Sequence, residues 1–171
     1  MKTILLVAVA CALVLAGCDK REAPAPKMSA GASHGHAHVA PHGGTLVEVG
    51  EHQFNLEFLF DESRGVLQAW FLDGHAENFV RVALPGFEVS AKSSVKDYTL
   101  TFAPVANAVT GETTNDTSLF EAPAAWLRDA KAFDGVVKAI TVRGVSFSNI
   151  AFDYPASHDD HDHDHAKDHA H

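Results

Sequence analysis

Cysteine is all but missing. The 171-residue chain has two, Cys11 and Cys18, both within its first eighteen positions. A domain built from the remainder has no thiolate metal site, no disulfide and no cysteine nucleophile. Basic residues are scarce too: thirteen Lys and Arg stand against twenty-two Asp and Glu, a net charge of −9 with histidine neutral. Phosphate binding needs a basic face, so nucleic acid is not an expected partner, and a cation is the natural counterpart. The chain has one long apolar run, Ile4–Leu15, and it is short for a spanning helix. No G-x-S-x-G, H-E-x-x-H, P-loop or nucleotide-binding glycine pattern occurs, so no enzyme is expected.

The apolar run has another use. In "MKTILLVAVACALVLAGC" a positive Lys2 precedes it, the layout of a secretory signal peptide over residues 1–17. The run closes on Leu15-Ala16-Gly17-Cys18, which resembles the bacterial lipobox. That resemblance implies cleavage before Cys18 and lipidation of its thiol. Each buried acyl methylene contributes about 0.8 kcal/mol, so several chains make a lasting membrane anchor. The expected location is the bacterial cell envelope, on the periplasmic face of a membrane. Asp19 resembles an inner-membrane retention signal, though inner versus outer membrane stays open. Residues 18–40, rich in Ala, Pro, Ser, Gly and charge, read as a flexible tether.

From Pro41 to Pro155 the pattern changes to that of one small globular domain. Alternation dominates. "HQFNLEFLF" places Phe54, Leu56, Phe58 and Phe60 on one face, with Gln53, Asn55 and Glu57 on the other. "DESRG" is a polar turn, and "VLQAWFLDG" returns as the second strand of a hairpin. "NFVRVALPGFEVSA" supplies a further strand or two, "KDYTLTFAPV" one more, and "VVKAITVRG" with "VSFSNIAFDYP" a final hairpin. "EAPAAWLRDAKAF" is the one short helical candidate. About seven strands with frequent turns predict an all-β fold, a small antiparallel β-sandwich of immunoglobulin-like size. Such a fold alone assigns no function.

One stretch is more specific. "PHGGTLVEVGEHQFNLEF" resembles the start of the N-terminal domain of periplasmic adaptor subunits of heavy-metal efflux pumps of the resistance-nodulation-division type. Pro41, His42, Gly43, Gly44, Leu46, Gly50, Leu56 and Glu57 match in kind. The layout, with its "HGG" entry and His/Asp tail, is also similar to that of small bacterial lipoproteins. The resemblance implies a metal-handling context.

Histidine is the residue the chain has in excess. The tail, residues 156–171, carries His158, His161, His163, His165, His169 and His171 among aspartates that include Asp160, Asp162 and Asp164. Neutral imidazole is a good ligand for Zn²⁺, Ni²⁺ and Cu²⁺, and carboxylates complete the shell. Alternate positions in an extended segment project to one side, so the tail reads as a disordered metal-binding arm. Its ions would be exchangeable, because ordering the chain weakens each site. The leader repeats the spacing with His34, His36 and His38, and His42 follows at the domain edge. Inside the domain, His52 and His75 are candidates for a folded site.

The expected function is therefore binding: capture, buffering or delivery of a divalent transition metal near a membrane transporter. Zinc is the first choice, with nickel and copper as alternatives. A competing expectation makes the sandwich an interaction module that docks on a metal efflux or uptake complex.

Overall fold

The computed structural model describes residues 38–156. The expected signal segment, most of the tether and the tail beyond residue 156 lie outside the described residues.

Strand β1 runs Thr45–Val49, β2 Phe54–Asp61 and β3 Val66–Asp73, joined as successive antiparallel hairpins. The β1–β2 turn passes through three left-handed residues, Gly50, Glu51 and His52. Gly50 is required twice, because a Cβ there would also collide with the Phe147 ring. Asp61 builds the β2–β3 turn. Its carboxylate accepts from Ser63 Oγ (2.6 Å), Arg64 N (3.1 Å) and Arg64 Nε (2.6 Å). These hydrogen bonds, that of Ser63 foremost, hold it well below the usual carboxylate range. The Arg64 guanidinium then forks onto both oxygens of Glu121, which ties the turn to a distant strand.

The remaining strands are β4 (Phe87–Lys92), β5 (Asp97–Pro104), β6 (Leu119–Pro123), β7 (Phe133–Val142) and β8 (Val145–Tyr154). In space they run β1-β2-β3-β6-β5-β4-β7-β8, every neighbouring pair antiparallel. The fold is all-β, as the alternation predicts. The sheet curls until its two ends approach. Phe147 of β8 meets Phe54 edge-on with ring centroids 6.1 Å apart, and Ala156 N donates to Thr45 Oγ1 (3.0 Å). The two layers of the expected sandwich are thus opposite walls of one nearly closed sheet.

Aromatic rings fill the space between the walls. Phe58, Phe71, Phe102 and Phe120 are fully buried. Phe87 stacks flat on Phe102 at 4.7 Å, and Phe58 stacks on Phe152 at 4.6 Å. The Phe152 ring lies across Gly135, its cross-strand partner on β7, and a Cβ at Gly135 would collide with it. Because Phe58 blocks its retreat, the ring cannot yield without strain. Gly135→Ala is expected to cost about 1–3 kcal/mol of stability, read as a lower denaturation midpoint with an unchanged slope.

Two segments differ from the pattern-based expectation. Only Leu127–Ala130 is helical in "EAPAAWLRDAKAF", a single turn labelled α1. Glu121, Ala122 and Pro123 instead pair with Gln68, Leu67 and Val66 of β3, so strand pairing overrides local helix propensity. Lys131, in the left-handed region, closes the turn by donating to Leu127 O (3.0 Å). Before β4, the stretch around Phe79–Val82 makes only isolated bridges, Leu72 with Phe79 and Val82 with Thr117. No helix among the described residues is long and apolar enough to cross a membrane.

Candidate metal-ligating face

Alternation assigns Gln53, Asn55 and Glu57 to solvent, and for two of them the structure corrects this. Asn55 is 4% exposed and Glu57 0%. Burying a carboxylate costs several kcal/mol unless donors surround it. The donors come from the segment that precedes β1. Residues 38–44 cross the outer face of β2 and β3, with His42 over the Glu57–Trp70 cross-strand pair.

The "PHGG" motif is the instrument of that burial. Oε1 of Glu57 accepts from His42 N (2.8 Å) and Gly44 N (2.9 Å), and Oε2 faces His42 Nδ1 at 2.8 Å. Gly43 donates its N–H back to Ala40 O (3.0 Å), and its φ of 74° turns the chain onward so that Gly44 N reaches Glu57. Gly44 has a different reason. Any Cβ there would lie 2.5 Å from the Phe58 carbonyl, so only glycine lets the loop sit this close. Each residue of His-Gly-Gly therefore serves the carboxylate: one by its ring and amide, one by its backbone angle, one by its lack of a side chain.

The His42 ring stacks on Trp70 at 4.4 Å and meets Phe79 at 5.5 Å. Phe79 is itself 48% exposed, and Trp70 Nε1 is buried without an acceptor among the described residues. In the neutral ring, the Nδ1 that faces an acidic oxygen is the donor, and Nε2 is the nitrogen with a free lone pair. No hydrogen bond to Nε2 is formed among the described residues. A ring oriented by a carboxylate at one nitrogen and open at the other is the arrangement in which histidine ligates metals.

The other histidines of the domain gather at the far end of β3. His75 occupies the turn that follows, and its ring meets that of His38 edge-on, centroids 5.9 Å apart. The turn is heavily bonded. Asp73 Oδ1 accepts from Glu77 N (3.0 Å) and Asn78 N (3.3 Å), and Oδ2 from Asn78 Nδ2 (2.7 Å). The Asn78 side chain, with these backbone N–H groups, holds the Asp73 carboxyl below its ordinary range. Buried Asn55 donates to the carbonyls of Asp73 (2.9 Å) and Gly74 (3.1 Å) from behind. His52, in the β1–β2 turn, presses its carbonyl against Gly74 and directs its ring towards Glu48, 3.4 Å away.

The structure thus joins His42 to Glu57, His38 to His75 and His52 to Glu48 as separate pairs. Among the described residues, no group of three or more His, Cys, Asp or Glu side chains forms a ready-made metal cage. Cys18, His34, His36, the six tail histidines and Asp160, Asp162 and Asp164 lie outside the described residues. A surface depression of about 370 Å³, bordered by Ser90, Lys92, Tyr98 and Asp134, contains none of the histidines.

Sequence reasoning overlooked Glu57, Trp70 and Phe79 as parts of this face. The signal was an acidic residue inside an apolar strand downstream of His-Gly-Gly, a pairing that only burial explains. Comparison with family models, with curated proteins and with solved structures finds no match.

Proposed function

We propose that the protein is a lipid-anchored metal-binding protein of the bacterial cell envelope. It captures, buffers or hands on a divalent transition metal, zinc first, beside a membrane transporter. The observation that carries this reading is the His42 ring, fixed at Nδ1 by a buried carboxylate with Nε2 left unbonded. Nine further histidines support it, three in the leader (His34, His36, His38) and six in the tail. The lipobox-like Leu15–Cys18 and the adaptor-like "PHGG" region add the compartment and the context. Flexible clusters suit exchangeable ions, as hand-over requires.

Calorimetry tests it. The purified mature protein is expected to bind several Zn²⁺ ions at neutral pH and to release them on acidification, since protons compete for imidazole. Replacing the six tail histidines with Asn, while keeping every Asp, should remove most of those sites. Unchanged stoichiometry would show that carboxylates do the binding and would overturn the role of the tail. Ca²⁺ and Mg²⁺, which prefer oxygen ligands, should bind weakly to both proteins.

A further inference from the structure

Building on the metal-binding reading, we propose that His38 and His75 are two ligands of one transition-metal site. The ion would fasten the incoming chain to the far end of the folded domain. The site differs from both the tail and His42, and it joins residues separated by the whole of β1, β2 and β3.

Geometry supports it first. An ion bonded to a ring nitrogen at the usual zinc distance lies about 3.2 Å from that ring's centre. Two such rings sharing one ion have centroids roughly 5–6 Å apart, the span over which zinc keeps a near-tetrahedral to opened ligand angle. The observed separation is 5.9 Å, with the rings at 86° to one another.

The support beneath His75 is the second observation. His75 is exposed, yet its turn is held by four hydrogen bonds from Asp73 and Asn55 to neighbouring backbone groups, plus one between the Asp73 and Asn78 side chains. Asn55 spends a buried position on this turn, and Gly74 is pinned against the His52 carbonyl, where no side chain fits. Ala76 is held left-handed at φ 58° and is itself buried. The turn's own side-chain bonding holds His75 in place before an ion arrives, as a metal ligand requires. His38 belongs to the segment that leads into β1, and His75 to the turn after β3. Two protein ligands leave two positions of a tetrahedral ion for water or an incoming donor, which suits an ion meant to be passed on.

The competing account is a plain edge-on contact between aromatic rings. His75→Phe separates the two, because it keeps a ring at the contact and removes the nitrogens. The experiment uses the full mature chain with its six tail histidines, His34, His36 and His42 changed to Asn, titrated with Zn²⁺ by calorimetry and with Co²⁺ by visible absorption. One zinc site is expected to remain in that background. His75→Phe and His38→Phe should each weaken it at least tenfold and abolish the Co²⁺ band, while His52→Asn leaves it unchanged. Melting in chelator should be the same for all four proteins, which shows that each variant folds. Retained affinity in both Phe variants would overturn the site and leave the aromatic contact as the explanation. Absence of zinc binding in the substituted background would also overturn it, with the tail's own sites intact. Absence of binding in the unaltered protein would instead bring down the metal-binding reading itself.

Discussion

Glu57→Ala should lower the unfolding free energy by about 3 kcal/mol, a fall in Tm of roughly 10 °C. The substitution removes the acceptor of three N–H groups at once: His42 N, Gly44 N and His42 Nδ1. Gly44 N lies in a partly buried loop that sits close against Phe58, so the lost acceptor is replaced by water at a cost. Each buried donor left unpaired costs about 1–3 kcal/mol, and one that water can reach costs less. Glu57→Gln should cost less, because one oxygen remains as acceptor while the amide nitrogen faces a donor. Thermal melts followed by circular dichroism in metal-free buffer measure both. A loss below about 1 kcal/mol for the Ala variant would mean that the loop holds itself without the carboxylate.

Phe58→Ala should be more damaging still, at about 4 kcal/mol. Phe58 is fully buried, stacks on Phe152 at 4.6 Å with 3° between planes, and meets Phe102 edge-on at 5.7 Å. It therefore links β2, β5 and β8 across the interior, and its removal leaves a cavity that three strands must collapse to fill. Urea unfolding should show a large drop in midpoint with little change in slope. An altered slope would show that β8 has detached in the folded state, since the surface exposed on unfolding would then have changed.

Much of the fold was legible because period two is a strong signal wherever one face is buried. The β2–β3 hairpin follows the alternation of Leu56, Phe58 and Phe60, and the end of β8 that of Ile150, Phe152 and Tyr154, whereas Phe147 turns inward only because the parity changes around left-handed Asn149. The turn at Asp73-Gly74 likewise follows from the side chain that builds it. Burial of the second face of β2 was not legible by the same rule. Alternation reports which side chains are polar, and a polar residue reads as exposed whether solvent or a loop covers it. Asn55 and Glu57 are covered by backbone groups, Asp73–Gly74 on one side and His42–Gly44 on the other, and backbone donors leave no mark in residue composition. The helix over residues 127–130 was overextended for a related reason. Ala and Leu favour helix locally, while the pairing of Ala122 with Leu67 is a contact between residues far apart in sequence. The pairing of His38 with His75 was equally hidden, since its two members belong to different expected segments.

Chain entry and exit also have a geometric meaning. His38 sits at the end of the domain that carries His75, whereas Ala156 bonds to Thr45, which pairs with Phe58 part-way along β2. Four residues of β2 separate Phe54, which pairs with Asp73 beside the His75 turn, from Phe58, so the two levels lie about 13 Å apart along the strand. In the proposed anchored protein, the folded domain would set the points where the described chain enters and leaves it apart by that distance.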